Sequence, residues 1–288
     1  AGDSTPDVLI MTATPIPRTL AFTLYGDLDV SILDELPRGR RPVKTEVVPE
    51  AERGRAYDLV RAEVGAGRQA YVITPLVEES DKMAVKSAEA EAHRLATEVF
   101  PDLRVGMMHG RMRPNAKESV MAGFRRGDVD VLISTTVVEV GVDVPNATVM
   151  LIEDADRFGL SQLHQLRGRI GRGKHASTCL LLSGVIGDEE ADPTTLERLK
   201  AVASTNDGFK LANKDLELRG TGTILGERQS GWSDLRLTHL LRDVELLKAA
   251  REEAFALISR DPDLLRHPKL RLEMEGRFAD RLDWLLRS

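Results

Sequence analysis

The sequence contains little cysteine, few aromatic residues and no long apolar run. Its 288 residues include a single cysteine, Cys179, so neither a disulfide framework nor a cysteine-based zinc site can form within the chain. Aromatic residues make up 4%, which disfavours base stacking as the main way of binding nucleic acid. No uninterrupted apolar run approaches the roughly 20 residues that cross a bilayer, and no secretory signal pattern is present. We therefore expect a cytoplasmic protein in which Cys179 is a buried strand residue.

An excess of positive charge is also lacking. The formal net charge is −6, which argues against attraction to DNA by the overall field of the protein. Any contact with nucleic acid must then come from local basic patches, of which residues 38–41 with Lys44 and residues 167–174 are the candidates. The hydrophobic content of 42% is sufficient for a buried core.

Short apolar segments alternate with segments of helical spacing from residue 43 onward. The near-continuous apolar strands predict a parallel sheet with helices on both faces. The expected strands are residues 43–48, 70–74, 104–108, 129–134, 147–152 and 177–182, and the helices between the first four strands are residues 53–64, 84–100 and 115–124.

One cluster of fixed positive charge lies in the run QLHQLRGRIGRG at residues 162–173, which carries Arg167, Arg169 and Arg172. Arginine stays charged at physiological pH, and its planar fork matches phosphate oxygens. The cluster therefore suits a triphosphate that passes through a charged transition state. The alternative is a solvated basic helix end that stabilises its last turn through the helix dipole.

Polar residues follow three of the predicted strands. Thr74 is the last residue of one strand, Thr135 comes directly after another, and residues 109–112, HGRM, follow a third. A hydroxyl at a strand end can hold a DNA phosphate. Because the carboxyl ends of parallel strands share one edge, we expect these loops to converge with residues 165–172. Ordinary turn chemistry explains each loop taken singly.

Two segments imitate nucleotide-binding motifs. Residues 168–174 have the spacing G-x-x-x-x-G-K, but His175 stands where a magnesium-binding Ser or Thr is required, and a strand follows instead of a helix. Glu153 and Asp154 end an apolar strand, as magnesium-holding acids do. The alternative interpretation is that they are local loop carboxylates or partners of nearby arginines. The sequence offers no other phosphate-binding loop, so the chain alone is expected to bind nucleotide weakly and hydrolyse none.

Helical patterns dominate after residue 187. A helical hairpin is predicted at residues 194–203 and 209–218, with Asn206, Asp207 and Gly208 in its turn. A glycine-rich run follows at residues 219–231. An amphipathic helix at residues 233–260 stops before Pro262, and another helical stretch covers residues 270–286.

Several of these segments, in this order, resemble motifs of superfamily-two helicases, in the branch of RecG and the transcription-repair coupling factor. Gln165-x-x-Gly168-Arg169-x-x-Arg172 resembles the sixth motif, and residues 12–20, TATPIPRTL, resemble the third. YVITPLVEES, HGRM and STTVVEVGVDVPN look like the fourth motif, the step after it and the fifth. Residues 214–231, KDLELRGTGTILGERQSG, resemble a translocation motif, although Thr221 and Thr223 depart from its usual pattern.

The resemblance implies a role for each matching residue. It makes Arg172 an arginine finger on the γ-phosphate, with Arg169 and Gln165 beside it. Nucleotide-side coupling falls to Glu139, Gly141 and Asp143, and contact with the DNA backbone to Thr74, Arg111 and Thr135. Coupling to translocation falls to Thr12, Thr14, Arg198, Arg219 and Gln229. No metal ligand is assigned, because the resemblance places ATP and Mg²⁺ mainly on a first motor domain outside this chain.

The same resemblance implies the fold and the domain organisation. Residues 1–36 would be the tail end of a first RecA-like motor domain with its linker, and residues 37–187 a second RecA-like domain. Residues 188–232 would form the translocation hairpin and loop, and residues 233–288 a C-terminal helical segment. Because the chain starts at the third motif, we expect a C-terminal fragment.

The implied function is that of the C-terminal motor portion of an ATP-dependent translocase on double-stranded DNA. Such a motor remodels branched DNA by migrating Holliday junctions and reversing stalled forks, and it is expected to be monomeric. Its partners in the same polypeptide would be an N-terminal wedge and the first motor domain. The segments DLDVS, HGRM and VGVDVPNA favour RecG. The alternatives are a coupling-factor motor and a non-catalytic RecA-like module that binds DNA or regulates.

Overall fold

A computed structural model describes residues 41–75, 90–135, 143–188, 190–219 and 244–278, together with positions 9, 11, 31 and 33. Contacts divide the chain into two compact units. The described residues between 41 and 219 belong to the first unit, and residues 244–278 belong to the second. Each unit is treated separately below.

The first unit is built on a six-stranded sheet in the order β1-β6-β5-β2-β4-β3. Every pairing is parallel. The strands are β1 (Lys44–Pro49), β2 (Gln69–Ile73), β3 (Val105–Met108), β4 (Val131–Ser134), β5 (Ala147–Ile152) and β6 (Thr178–Ser183). β2, β4 and β5 are buried along their whole length, which is why their sequences are apolar without alternation.

Helices cover both faces of this sheet. They are α1 (Arg53–Gly65), α2 (residues 90–94, continued by the π-helical turn Leu95–Val99), α3 (Pro114–Arg126), α4 (Leu160–Arg167), α5 (Pro193–Ser204) and α6 (Gly208–Arg219). Alternate residues of each strand point to opposite faces. Tyr71 and Ile73 of β2 therefore pack with α3 to α6, whereas Ala70 and Val72 pack with α1 and α2. This arrangement confirms the predicted α/β sheet.

The helical hairpin of α5 and α6 packs on the sheet instead of standing apart from it. Leu199 and Val202 of α5 and Leu211 of α6 belong to the same buried cluster as the strands. The side chain of Asp192 accepts from the Thr194 amide to begin α5, and Asp207 caps α6 through the amides of residues 209 and 210.

The described part of the second unit contains α7 (Val244–Arg260) and α8 (Pro268–Phe278). Asp261 forms the corner between them, accepting from the amides of Leu265 and Arg266 and pairing with His267. α7 ends before Pro262, as the sequence predicts. None of the helices in the described part of the chain combines the length and apolarity that crossing a membrane requires.

Candidate functional site

Arg172 and Asp143 meet at the amino edge of the sheet, where the strands begin. The guanidinium of Arg172 forms an ion pair with the Asp143 carboxylate, and its Nε donates to the carbonyl of Gly168 at 3.1 Å. The side chains are 30% and 59% exposed, so both remain accessible to a ligand. The structure thus brings together one predicted finger residue and one predicted nucleotide-side residue. Glu139 and Gly141 lie outside the described residues.

Two glycines allow the chain around Arg172 to approach the sheet closely. Gly171 has a positive φ of 74°, which glycine adopts without strain. A Cβ on Gly171 would lie 2.8 Å from the Val43 side chain, and one on Gly173 would lie 2.2 Å from the Pro145 carbonyl oxygen. The glycines of the run RIGRG are therefore required by packing against the segments that lead into β1 and β5.

Arg169 and Arg172 place positive charge on the face of the sheet that carries Tyr71. Burial raises the pKa of Tyr71 to about 12, and the charges of the two arginines oppose that shift. Gln165 is exposed on α4, and Arg169 is partly buried. The three predicted catalytic residues therefore lie on α4 and on the turn that follows it.

The predicted convergence of all motif loops at one edge is wrong. α4 follows β5 at the carboxyl edge, but the turn after it ends beside Pro145 and Val43, at the amino edge. Thr74, Thr135 and residues 109–112 follow their strands at the carboxyl edge. The strands between the two edges are 4 to 6 residues long, which corresponds to about 13–20 Å. The protein therefore has two separate candidate sites.

At the carboxyl edge, Thr74 and Thr135 lie together beneath the surface. The Thr74 amide donates to the Ser134 carbonyl at 2.9 Å, and the two side chains help to line one recess together with His109. Each threonine is 3% exposed, and neither hydroxyl has a hydrogen-bond partner among the described residues. Arg111 is exposed in the turn after β3. In this conformation Arg111 is accessible to a phosphate, whereas the threonines are nearly covered.

Arg198 connects the hairpin to the carboxyl edge. Its guanidinium donates to the Asp156 carbonyl at 2.5 Å, in the short 3-10 helix Ala155–Arg157 after β5. Thr12, Thr14 and Gln229 lie outside the described residues, and only the backbone of Arg219 is described, at the end of α6.

Arg167 is not part of a solvated basic patch, contrary to the sequence-based expectation for residues 167–174. Its side chain is buried, with 3% exposed; one guanidinium nitrogen donates to the backbone carbonyls of Val202 and Thr205, and the other lies 2.9 Å from Nδ1 of His164. The spacing of side chains around α4 explains the error, because residues three and four positions apart lie on the same side of a helix. The apolar residues Leu163 and Leu166 face the core, and Arg167 lies on the same side.

A buried ionic network at the end of β5 was predicted only in part. Glu153 is 4% exposed, pairs with Arg53 and accepts from the Tyr57 hydroxyl at 3.0 Å. Burial raises the pKa of the Glu153 carboxyl, and the positive charge of Arg53 and the hydrogen bond from Tyr57 oppose this shift. The expectation of an arginine partner is thus correct for Glu153, but the partner is 100 positions away. The sequence signal that could have revealed this network was a charged residue directly after a buried strand.

The structure also tests whether residues 168–174 form a phosphate-binding loop and whether acidic residues form a metal site. β6 follows residues 168–174, so the helix of a true phosphate-binding loop is replaced by a strand, as expected. Among the described residues, no group of three or more His, Cys, Asp or Glu side chains could hold a metal ion. The arginines of the amino edge are suited to phosphate oxygens and not to a cation.

Comparisons with known proteins agree with this geometry. Residues 55–174 match the family described as the helicase conserved C-terminal domain. Residues 205–272 match the family described as ATP-dependent DNA helicase RecG, domain 3, C-terminal. The chain is 49% identical over 278 residues to the ATP-dependent DNA helicase RecG of a Synechocystis species, covering 96% of this chain and 33% of that relative. The chain belongs to the RecG family.

Other RecG relatives and a solved structure extend this result. The RecG of Mycobacterium bovis is 50% identical over 298 residues, which cover 99% of this chain and 39% of the relative. The structure of RecG bound to a three-way DNA junction matches with a TM-score of 0.64 and 45% identity, covering 82% of this chain and 30% of that one. The chain therefore spans about a third of the length of the RecG relatives it matches. The RecA-like fold expected from the sequence is confirmed.

Proposed function

We propose that this chain is the second motor domain, with the translocation hairpin, of an ATP-dependent translocase that remodels branched double-stranded DNA. The observation that carries the proposal is the meeting of Arg172 with Asp143 on a glycine-built turn at the amino edge. Identity of 49% across nearly the whole chain to a RecG helicase supports it. The second motor domain would be residues 37–187, and the hairpin and loop residues 188–232.

The amino edge is the side that we assign to the nucleotide. Arg172 and Arg169 are of the residue type that holds a polyphosphate, and ATP bound there supplies the phosphoanhydride bond whose hydrolysis drives the motor. The Arg172–Asp143 pair is exposed enough to contribute only about 0–1 kcal/mol to stability. Exchange of the carboxylate for a phosphate therefore costs little. Before a phosphate binds, the Asp143 carboxylate keeps the Arg172 guanidinium oriented.

Mg²⁺ would be held by another part of the protein, because the arginines of the amino edge repel a cation. Gln165, on the exposed side of α4, would contact the nucleotide beside Arg169. These assignments divide the work. This chain supplies charge that stabilises the transferring phosphoryl group, and the first motor domain holds the nucleotide and metal.

The carboxyl edge is the side that we assign to DNA. Arg111 is exposed there and provides the first contact with a backbone phosphate. Thr74 and Thr135 would contact DNA only after the recess above them opens. An unsatisfied buried hydroxyl costs about 1–3 kcal/mol, so a phosphate that accepts from either one would be favoured.

In the experiment, this chain replaces the matching third of the Synechocystis RecG. ATP hydrolysis by the resulting RecG chimaera is then measured with forked DNA. Arg172→Ala should lower the hydrolysis rate by about 10³-fold, as expected for the loss of an arginine finger. Arg126→Ala is the matched control, because Arg126 forms a surface ion pair with Asp128 that is 65% and 59% exposed. It should change the rate little.

Two outcomes would contradict the proposal. Hydrolysis that is insensitive to Arg172→Ala would show that the turn is only a basic helix end. A chimaera that binds forked DNA but hydrolyses no ATP would instead support a non-catalytic module. Thermal melting of each variant checks that a lost rate does not come from unfolding.

A further inference from the structure

The recess that contains Thr74 and Thr135 lies beneath the first turn of α2, residues 90–94. Thr74 continues the face of β2 that carries Val72, and α2 packs on that face. Ala92 of α2, which is 4% exposed, lines the recess from the helix side. Neither threonine hydroxyl has a hydrogen-bond partner among the described residues, and the recess is too narrow for a water molecule to supply one. The position of α2 therefore leaves two buried polar groups unsatisfied.

The far end of α2 is firmly anchored. Leu95 and Phe100 are fully buried, and the Val99 carbonyl accepts from the Arg61 guanidinium. The amide of Phe100 donates to the Leu95 carbonyl at 2.7 Å, five positions back, which is the hydrogen-bond pattern of the π-helical turn. Such turns interrupt a regular helix and occur often at functional sites. The turn therefore provides a joint between the anchored end of α2 and the residues over the recess.

Arg94 ties the start of α2 to the buried ionic network after β5. Its guanidinium donates to the Tyr57 hydroxyl at 3.3 Å and pairs with Glu91 within α2. The same hydroxyl accepts from Arg53 at 2.9 Å and donates to Glu153 at 3.0 Å. Tyr57 thus connects α2 to α1 and to the end of β5. The contact from Arg94 is the longest of the three that the hydroxyl makes, so it is the weakest of them.

We infer that residues 90–94 are a cover over the recess and that Tyr57 is the positioning residue that holds this cover closed. Release of its contact with Arg94 lets the cover turn about the π-helical joint. The hydroxyls of Thr74 and Thr135 then face an entering ligand. That ligand is a DNA backbone phosphate, because its oxygens accept from hydroxyl groups. The identity of the ligand rests on the proposed function, whereas the cover itself does not.

The cover gives the loss of one contact an unusual sign. The apparent affinity of a site is reduced by the fraction of molecules in which that site is open. Weakening the contact between Arg94 and Tyr57 raises this fraction, so it should tighten binding at the recess. The loss of one ordinary hydrogen bond shifts an equilibrium by about 2- to 10-fold, which sets the size of the expected effect.

A thiol in the recess measures how often the cover opens. Thr135→Cys places a side chain of similar size there, and Cys179, the one natural cysteine, is fully buried in β6. Tyr57→Phe removes the hydroxyl and keeps the ring, which packs edge-on against Phe100 with the ring centroids 5.5 Å apart. In the Thr135→Cys chain, Tyr57→Phe should raise the rate of thiol labelling by about 2- to 10-fold.

Tyr71→Phe is the matched control, because Tyr71 packs on the opposite face of the sheet. It should leave the labelling rate unchanged. Cys179 separates local opening from unfolding, since it reacts only when β6 is exposed. Thr74→Cys supplies the same probe should Thr135→Cys fail to fold. The inference is overturned if Tyr57→Phe does not accelerate labelling in the recess, or if Cys179 reacts in step with the probe.

The RecG chimaera tests whether DNA enters the recess. Tyr57→Phe should tighten the binding of forked DNA by about 2- to 10-fold, and the gain should vanish when Thr74 and Thr135 are both replaced by valine. A merely structural defect would weaken binding instead. Accelerated labelling without tighter binding would support the cover and overturn the assignment of the recess to DNA. Failure of the proposed motor function is recognised separately, since ATP hydrolysis would then be insensitive to Arg172→Ala.

Discussion

Substitution of Gly173 by alanine tests whether backbone packing sets the position of Arg172. A Cβ at Gly173 would lie 2.2 Å from the Pro145 oxygen and 3.1 Å from its carbonyl carbon, and real Cβ contacts essentially never fall below 3.0 Å. The two backbone segments must therefore separate by about 0.8 Å or more, because neither contact atom belongs to a flexible side chain.

The expected cost follows from that separation. Overpacking against backbone costs about 1–3 kcal/mol. For a domain of this size about 2–4 °C is lost per kcal/mol, so the melting temperature should fall by about 2–12 °C. A displacement near 1 Å at a catalytic group can lower a rate by about 10²-fold. ATP hydrolysis by the RecG chimaera should therefore fall more than the loss of stability explains.

Gly54→Ala is the control for the loss of a glycine itself. Gly54 lies within α1, and no atom lies within 4 Å of its added Cβ. Alanine there should stabilise the protein by up to about 1 kcal/mol and leave hydrolysis unchanged. The reasoning is refuted if Gly173→Ala melts at the temperature of the unsubstituted protein and hydrolyses ATP at its rate. The contact with Pro145 would then be relieved without moving Arg172.

Two further predictions concern buried groups. Arg53→Met should destabilise the protein by about 3–5 kcal/mol, because it leaves the Glu153 carboxylate buried without its cation. Since burial raises the pKa of Glu153 in the folded state, the loss should shrink as the pH is lowered from 7 towards the unfolded pKa near 4.5, where the folded protein takes up a proton. Denaturant titrations at several pH values measure this effect, and a loss that grows with acid would contradict it. Burial also raises the pKa of Cys179 to about 12, so a thiol reagent at pH 8 should react only in denaturant. Rapid reaction of the native protein would refute the burial of this strand.

Secondary structure was predictable because the pattern of burial is simple. β2 and β5 are buried on both sides, so their apolar runs stand out from the amphipathic helices around them. Pro114 marks the beginning of α3, and Gly127, in the left-handed conformation, marks its end. Boundaries shifted by one or two residues, as at β6, which begins at Thr178. Local chemistry determines each of these features.

The positions of the two candidate sites were harder to predict, because they depend on the edge of the sheet at which the turn after α4 ends. The motif at residues 165–172 was recognisable from its arginines and glycines, but its distance from the strand ends depends on the direction of α4 across the sheet. Likewise, the spacing of arginines cannot distinguish Arg167, which is buried, from Arg172, which is 30% exposed. The pairing of Arg53 with Glu153 joins residues 100 positions apart, and only the fold brings them together.

The central strands have a consequence for how the two edges can communicate. The parallel sheet between Asp143 and Thr74 is paired and closely packed, apart from one irregularity in the pairing between Gln69 and Ala70, and such a layer deforms little. A ligand at one edge can therefore be sensed at the other mainly through rotation of the entire domain, not through distortion within it. Substitutions at opposite edges should then contribute independently to stability, as distant sites usually do. Each edge can be redesigned without retuning the other, provided that the sheet between them is left intact.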